Sequence, residues 1–224
     1  MAVVQAENDA SVVTALYLRT RALHLEAERT GIVAEILRGT ATRDGYTLLL
    51  RNLHPAYRAI EAGIARHRDN PILAPLAAHS LARTPAIEAD LVALAGTGWN
   101  DQLPVLPAAE AYADRIAEAS EGDGSRLIAH AYTRYLGDLN GGQIVRRLLE
   151  KTMQLGPAEL AHYDFSAIGD PGALKTEYRE ALEQAGAAAP DAAAIIEEGA
   201  AAFTCNIALS VAVQQHLADR AVTV

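Results

Sequence analysis

The chain has 224 residues, half of them hydrophobic, which suits one compact domain able to bury a core without disulfides. Cys205 is the sole cysteine, so an intramolecular bridge is excluded and a reducing cytoplasm is the expected setting. Nineteen basic against 28 acidic side chains leave a formal charge of −9, a surface that as a whole repels nucleic acid and anionic lipid.

Alanine and leucine dominate, β-branched runs are short, and apolar residues recur at close to the helical period of about 3.6, which predicts an all-α domain. The first helix is expected over about Ala10 to Glu28, with Val13, Leu16, Thr20, Leu23, His24 and Ala27 along its inner side. A short helix from Ile32 to Leu37 ends at Gly39. Thr42-Arg43-Asp44-Gly45-Tyr46 then opens a long helix reaching about His67, with Thr42 or Asp44 as N-cap and a kink expected at Pro55. Pro71 and Pro75 mark a connection, and helices follow over about Thr84 to Ala95 and Ala108 to Ala119. Between those two, Gly96 to Pro107 reads as a loop, and after the second EGDGS reads as another. Ser125 is the expected cap of the helix that carries AHAYTRYLGDLNGGQIVRR, Ala129 to Arg147. Past Gly156-Pro157 a polar connection holds His162, Tyr163 and Phe165. Helices at about Pro171 to Gln184 and Asp191 to Ala218 close one domain, residues 1–224 with a core of about 10–218. No basic start with an apolar run and cleavage site is read, and no uninterrupted apolar stretch reaches the roughly 18 residues of a membrane span. The expectation is a soluble cytoplasmic protein with neither membrane nor nucleic acid as partner.

Gly137, Gly141 and Gly142 are the expensive feature. Each glycine inside a helix costs about 1 kcal/mol against alanine. Taken locally, Gly-Gly favours a turn or a helix end; the competing reading is a helix that bends and brings bare backbone close to a flat ligand. His24 lies one turn before Glu28. A lone histidine on an apolar face is more often a core residue than a ligand, but a carboxylate at that spacing can orient an imidazole toward a metal. Lys175 and Arg179 share a helical face beside Tyr178 and suit carboxylates or a phosphate, unless Glu177 and Glu180 simply pair with them. Tyr57, Tyr112, Tyr132 and Tyr135 sit among apolar neighbours and point to a buried polar network, for which Asp138 is the obvious acid. Arg146, Arg147 and Lys151 form a basic cluster that is by default a solvated helix face. Only one Glu-x-x-His pair exists, Glu159 to His162, where a di-iron bundle needs two. Zinc spacings, Walker loops and GxSxG elbows are absent.

AHAYTRYLGDLNGGQ closely resembles the signature of the haem oxygenases. His24 with Glu28, the Thr42–Tyr46 segment, Tyr57, Lys175-x-x-Tyr178-Arg179 and Phe203-x-x-Asn206 also fall in that family's register, so the resemblance spans roughly Ala15 to Leu217. It implies an all-α bundle holding haem b between a proximal helix and a kinked, glycine-rich distal helix. It also implies oxygen- and electron-dependent cleavage of that haem at a meso carbon to biliverdin, CO and ferrous iron, through an iron-hydroperoxo species that hydroxylates the macrocycle. His24 looks like the axial iron ligand, with Glu28 behind it. Gly137, Gly141 and Gly142 look like backbone against the porphyrin, with Phe203 also at the haem. Asp138 would hold waters through a network with Arg134, Tyr57, Tyr112 and Asn206. Tyr132, Lys175 and Arg179 look like propionate partners. Tyr17 replaces a lysine common in the family, and Arg21 is the expected substitute. Asn140 stands where serine is common. No flavin or NAD motif is present, so electrons would come from a separate donor such as ferredoxin with its reductase, docking in part on Arg146, Arg147 and Lys151. The rival readings are a non-catalytic haem carrier or sensor and an all-α thiamine-salvage type hydrolase; against the hydrolase, Cys205 is the only thiol and lies outside any base-paired setting.

Overall fold

The computed structural model describes residues 11–222, and over that span the chain is helical with no strand. Helix α1 (Val12–Ala27) starts at Ser11, whose hydroxyl accepts from the Thr14 amide as an N-cap. Ala10, the first residue of the predicted helix, lies outside the described residues. Val13, Leu16, Thr20 and Ala27 bury the inner stripe, but the predicted stripe is broken between Thr20 and Ala27. Leu23 is only half-buried and His24 is exposed, because the last turn of α1 leaves the core and opens on a cleft.

Helix α2 (Gly31–Arg38) ends at Gly39 as expected. Its start needs glycine twice over: Gly31 has a φ of 63°, and a Cβ there would stand 2.4 Å from the Ser210 carbonyl carbon. That contact pins α2 to the C-terminal helix, where the Ser210 hydroxyl donates to Thr30 O at 3.2 Å and accepts from Val33 N at 3.1 Å. Helix α3 (Arg43–Arg66) is capped by Thr42 and runs on past Pro55. Its buried Asn52 accepts from the Leu106 amide at 2.7 Å and so fixes the entry to a later helix.

Two short helices stand where a connection and a loop are predicted, α4 (Ala74–Ala78) and α6 (Trp99–Gln102). The first has Pro75 within its opening turn, where a missing N–H costs nothing. Between them α5 (Thr84–Ala95) matches its predicted bounds, and α7 (Pro107–Ala119) follows. The expected Ser125 cap is not made; instead the Asp123 carboxylate accepts the Ser125 amide at 2.9 Å.

Helix α8 (Leu127–Ala131), a single π-turn (Tyr132–Leu136) and α9 (Gly137–Met153) form one continuous helical rod. The predicted polar connection beyond it turns its aromatic side chains inward. Two 3₁₀ turns, Pro157–Glu159 and Ala161–Tyr163, carry His162, Tyr163 and Phe165 into the core. Helices α10 (Pro171–Ala188) and α11 (Ala192–Val222) complete the architecture, with α11 packed on α1, α2, α7 and α8.

Among the described residues, α11 is long and apolar enough to cross a membrane by composition, with a mean hydropathy of 1.3 in an 18-residue window within Ala192–Ala221. The stretch is not uninterrupted, since Glu197, Glu198 and Asn206 fall within it, in keeping with the expectation. Its polar side chains find partners inside the fold. Glu198 is buried and takes two hydrogen bonds from Arg115, at 2.7 and 2.6 Å, and one from His130 at 3.0 Å. Burial holds His130 neutral, so it donates as an imidazole rather than an ion. Burial works to raise the Glu198 carboxyl, but the His130 and Arg115 hydrogen bonds outweigh it and bring it down from 4.5 to about 2. A depressed carboxyl contributes stability that is full above its unfolded value and is lost as pH falls through its folded one. Glu198 therefore accounts for up to about 3 kcal/mol at neutral pH, less after screening of the partly exposed Arg115. Acid unfolding monitored by circular dichroism should show E198Q less stable at pH 7 and flatter between about pH 4.5 and 2. Parallel stability curves for the two proteins would contradict this role.

Candidate active site

A cleft of about 430 Å³ opens between the end of α1 and the central rod, a volume typical of small-molecule and cofactor sites. Its α1 wall is His24, Ala27 and Glu28; Gly137, Asn140 and Gly141 form the opposite wall, and Phe203 and Asn206 of α11 close one end. His24 Nδ1 lies 3.6 Å from Glu28 Oε1, and its ring centroid lies 5.8 Å from that of Phe203. A carboxylate beside Nδ1 leaves Nε2 as the nitrogen for a metal. Among the described residues no cluster of three or more His, Cys, Asp or Glu could hold a metal ion by itself, so His24 suits a metal whose remaining ligands come with it.

The π-turn resolves the glycine question. The chain neither turns nor ends there; the rod continues through all three glycines. One widened turn shifts the register of the helix beyond it, as π-turns at functional sites do. Tyr132, Thr133, Leu136, Gly137, Asn140 and Gly141 then face the cleft, while Arg134 and Asp138 face a second cavity of about 160 Å³ behind the rod. A Cβ on Gly137 or Gly141 would meet nothing within 4 Å, whereas one on Gly142 would stand 2.9 Å from Tyr163 Cδ1. Gly137 and Gly141 thus keep the cleft wall flat. Gly142, expected at the ligand, instead lets the rod pack on the 3₁₀ segment. The same measurements separate binding from folding. Gly141→Ala should hold or raise the melting temperature, since alanine is about 1 kcal/mol better in a helix, yet weaken ligand affinity. Gly142→Ala should lower the melting temperature. Equal behaviour of the two variants in calorimetry and ligand titration would contradict the division.

Behind the rod lies a polar network. Tyr57 donates to Asp138 Oδ2 at 2.5 Å, and Arg134 donates to the Tyr57 oxygen through Nε at 3.1 Å and Nη2 at 2.8 Å. Arg134 Nη1 also donates to Asn206 Oδ1 at 2.7 Å, tying the network to the cleft end. Burial raises the Asp138 carboxyl, against Arg134, Tyr57 and Arg83, which favour its ion. Burial raises the Tyr57 phenol far above its ordinary value, so it stays a donor. Both cavities are lined by Gly137, Gly141 and Asn206, so the cavity that Asp138 lines adjoins the cleft.

The other expected site residues fall differently. Tyr112 is buried but its hydroxyl has no hydrogen-bond partner; its ring lies 5.8 Å from His130, so it makes no bond to the Asp138 network. Arg21, Lys175 and Arg179 are exposed and do not line the cleft. Tyr132 does line it, half-buried; burial raises its phenol, opposed by a Thr20 hydrogen bond and the Arg179 charge, with Tyr17 also nearby. A larger, shallower groove of about 640 Å³ runs along α3 past Arg51, His54 and Arg58. Two of its polar groups are already committed, Arg51 to Leu103 O and Asn100, and His54 to Glu88 at 2.8 Å. His162 and Tyr163, placed in a connection by sequence, prove to back the Asp138 site. The available signal was the apolar-aromatic spacing of Leu160, Tyr163 and Phe165, too short to show a period.

A family model described as "Heme oxygenase" matches residues 10–212. Heme oxygenase 1 of Nostoc is 36% identical over 193 residues, covering 86% of this chain and 81% of that protein. Human heme oxygenase 1 is 34% identical over 206 residues, covering 91% and 72%. Among solved structures, heme oxygenase-1 from the cyanobacterium Synechocystis, in complex with heme, superposes with a TM-score of 0.85 at 32% identity, covering 94% of this chain and 96% of that one. Heme oxygenase from Leptospira interrogans superposes with a TM-score of 0.82 at 28% identity, covering 90% and 99%.

Proposed function

The chain belongs to the haem oxygenase family, and from that premise we propose that it works as one domain, binding haem b between His24 and the Gly137–Gly141 backbone. It cleaves that haem at a meso carbon to biliverdin, CO and ferrous iron, consuming dioxygen and electrons from a separate donor. The observation that carries this reading is the opposition, across one cleft, of a carboxylate-flanked histidine and a glycine-flattened helix with a buried acid behind it.

The haem iron, when bound, supplies the oxygen activation; the rest is positional and falls to this chain. His24 binds the iron, and Glu28 fixes which ring nitrogen is free to do so. Neutral imidazole gives less electronic push than a thiolate. Gly137 and Gly141, having no side chain, would let the backbone of the rod lie against the bound macrocycle. Asp138 holds water in the cavity behind the rod and delivers protons through it, an acid acting at one remove. Tyr57 and Arg134 fix the carboxylate, and Asn206 fixes Arg134. Tyr132 lines the cleft, and the exposed Arg21, Lys175 and Arg179 are the cations that would meet the propionates.

The donor is ferredoxin with its reductase, and no flavin or NAD is held by this chain. Arg147 and Lys151 are the exposed cations of the docking face, flanking Ile144, which is 53% exposed. Arg146 contributes less, since it pairs with Glu150 at 3.1 Å and lies 3.8 Å from Asp164. The setting is cytoplasmic.

Purified protein with hemin and ascorbate in air tests the reading. The Soret band should give way to the broad red absorption of biliverdin. A Soret band that survives would make the protein a haem carrier or sensor, and no Soret band at all would remove haem.

A further inference from the structure

His162 is fully buried, yet nothing in the chemistry above uses it. Its Nε2 lies 3.5 Å from the Tyr57 oxygen and 3.8 Å from Asp138 Oδ1, while its Nδ1 has no partner. The ring stands edge-on to Tyr57 at 5.1 Å and to Tyr163 at 4.6 Å, so it is wedged rather than free to spin. Its backbone is clamped as well. Asp90 accepts the amides of Ala161 at 2.6 Å and His162 at 2.9 Å, and Arg83 donates to the His162 carbonyl at 3.4 Å.

The geometry points to His162 as a second donor that positions the Asp138 carboxylate, with its ring proton on Nε2. This rests on the reading of Asp138 as the water-holding acid. A buried N–H without an acceptor is rarer and costlier than a lone pair without a donor. Since acceptors lie only on the Nε2 side, the proton belongs there and Nδ1 keeps the bare lone pair. The Tyr57 oxygen already accepts twice from Arg134 and gives its own proton to Oδ2. The open acceptor is therefore Asp138 Oδ1, which has Arg134 Nη2 and His162 Nε2 each at 3.8 Å. A ring shift of about 0.8 Å, or one bridging water, completes the bond. The charged and titratable groups facing this pair are Arg134 from the rod, Tyr57 and Tyr46 from α3, Asp90 from α5, Arg83 before it, and Tyr163 on the same turn. Burial, then Arg134 and Arg83, keep the imidazole neutral, so it donates without becoming a competing cation.

A donor to a carboxylate favours its ion, so its loss should raise the pH at which Asp138 takes up a proton. In the ligand-free protein with ¹⁵N-labelled histidine, the His162 ring should show Nε2 protonated and Nδ1 bare, with no titration between about pH 5.5 and 8. H162F should move the acid limb of the hemin-turnover pH profile up by about one unit, with hemin affinity held within about twofold. H162Q, whose amide can donate, should move it back. A proton on Nδ1, or an H162F acid limb superimposable on the original while D138A is impaired, overturns the role of His162 alone. A fully active D138A would instead overturn the reading of Asp138 and, with it, any role for His162 in the reaction.

Discussion

Asp138→Ala keeps its haem and loses most of its turnover, by on the order of 100-fold or more, the range of a positioned proton source. Asp138 lines the cavity behind the rod and not the cleft, so hemin affinity should stay within about twofold of the original. What the variant loses is the fixed carboxylate that Tyr57 and Arg134 hold in place. Reducing equivalents then go astray, and oxidation of an added phenol such as guaiacol should rise as biliverdin falls. Single-turnover absorbance measurements read both changes together. Biliverdin formed at the original rate would remove Asp138 from the mechanism.

The second large effect is expected at His24. His24→Ala should lose turnover to the background of free hemin, because no other described imidazole lines the cleft. The variant should still fold: the His24 side chain is 57% exposed, and surface substitutions of that kind cost within about 0.5 kcal/mol. An unchanged melting temperature with an abolished Soret shift separates ligation from stability. Glu28→Gln should be milder, about 10- to 100-fold, as befits a partner acting through the ligand. A His24→Ala protein that still degrades hemin enzymatically would place the iron ligand elsewhere.

Long helices are legible in the sequence because their apolar period and caps agree. Thr42 caps α3 and Gly39 closes α2 where the pattern places them. Short elements are not, because four or five residues such as Trp99–Gln102 contain barely one turn from which to read a period. The 3₁₀ segment around His162 reads as a polar connection for the same reason. Its burial depends on Asp90 and Arg83, which are 72 and 79 residues away in sequence. Within the site, local pattern alone favours a turn at Gly141-Gly142, and the resemblance to a family tips the reading toward a helix. Even then it does not divide the glycines, since only packing shows that Gly142 serves Tyr163 and Gly141 serves the cleft. Tyr112 shows the same limit. A buried tyrosine is legible, but the direction of its hydroxyl is not.

The central claim is that this chain opens the haem ring it binds, and carbon balance in a single turnover tests it most directly. Hemin-loaded protein, given reductant in air with catalase present, should release one CO and one biliverdin for each haem consumed. Haem that persists, or that bleaches without CO, would contradict the account.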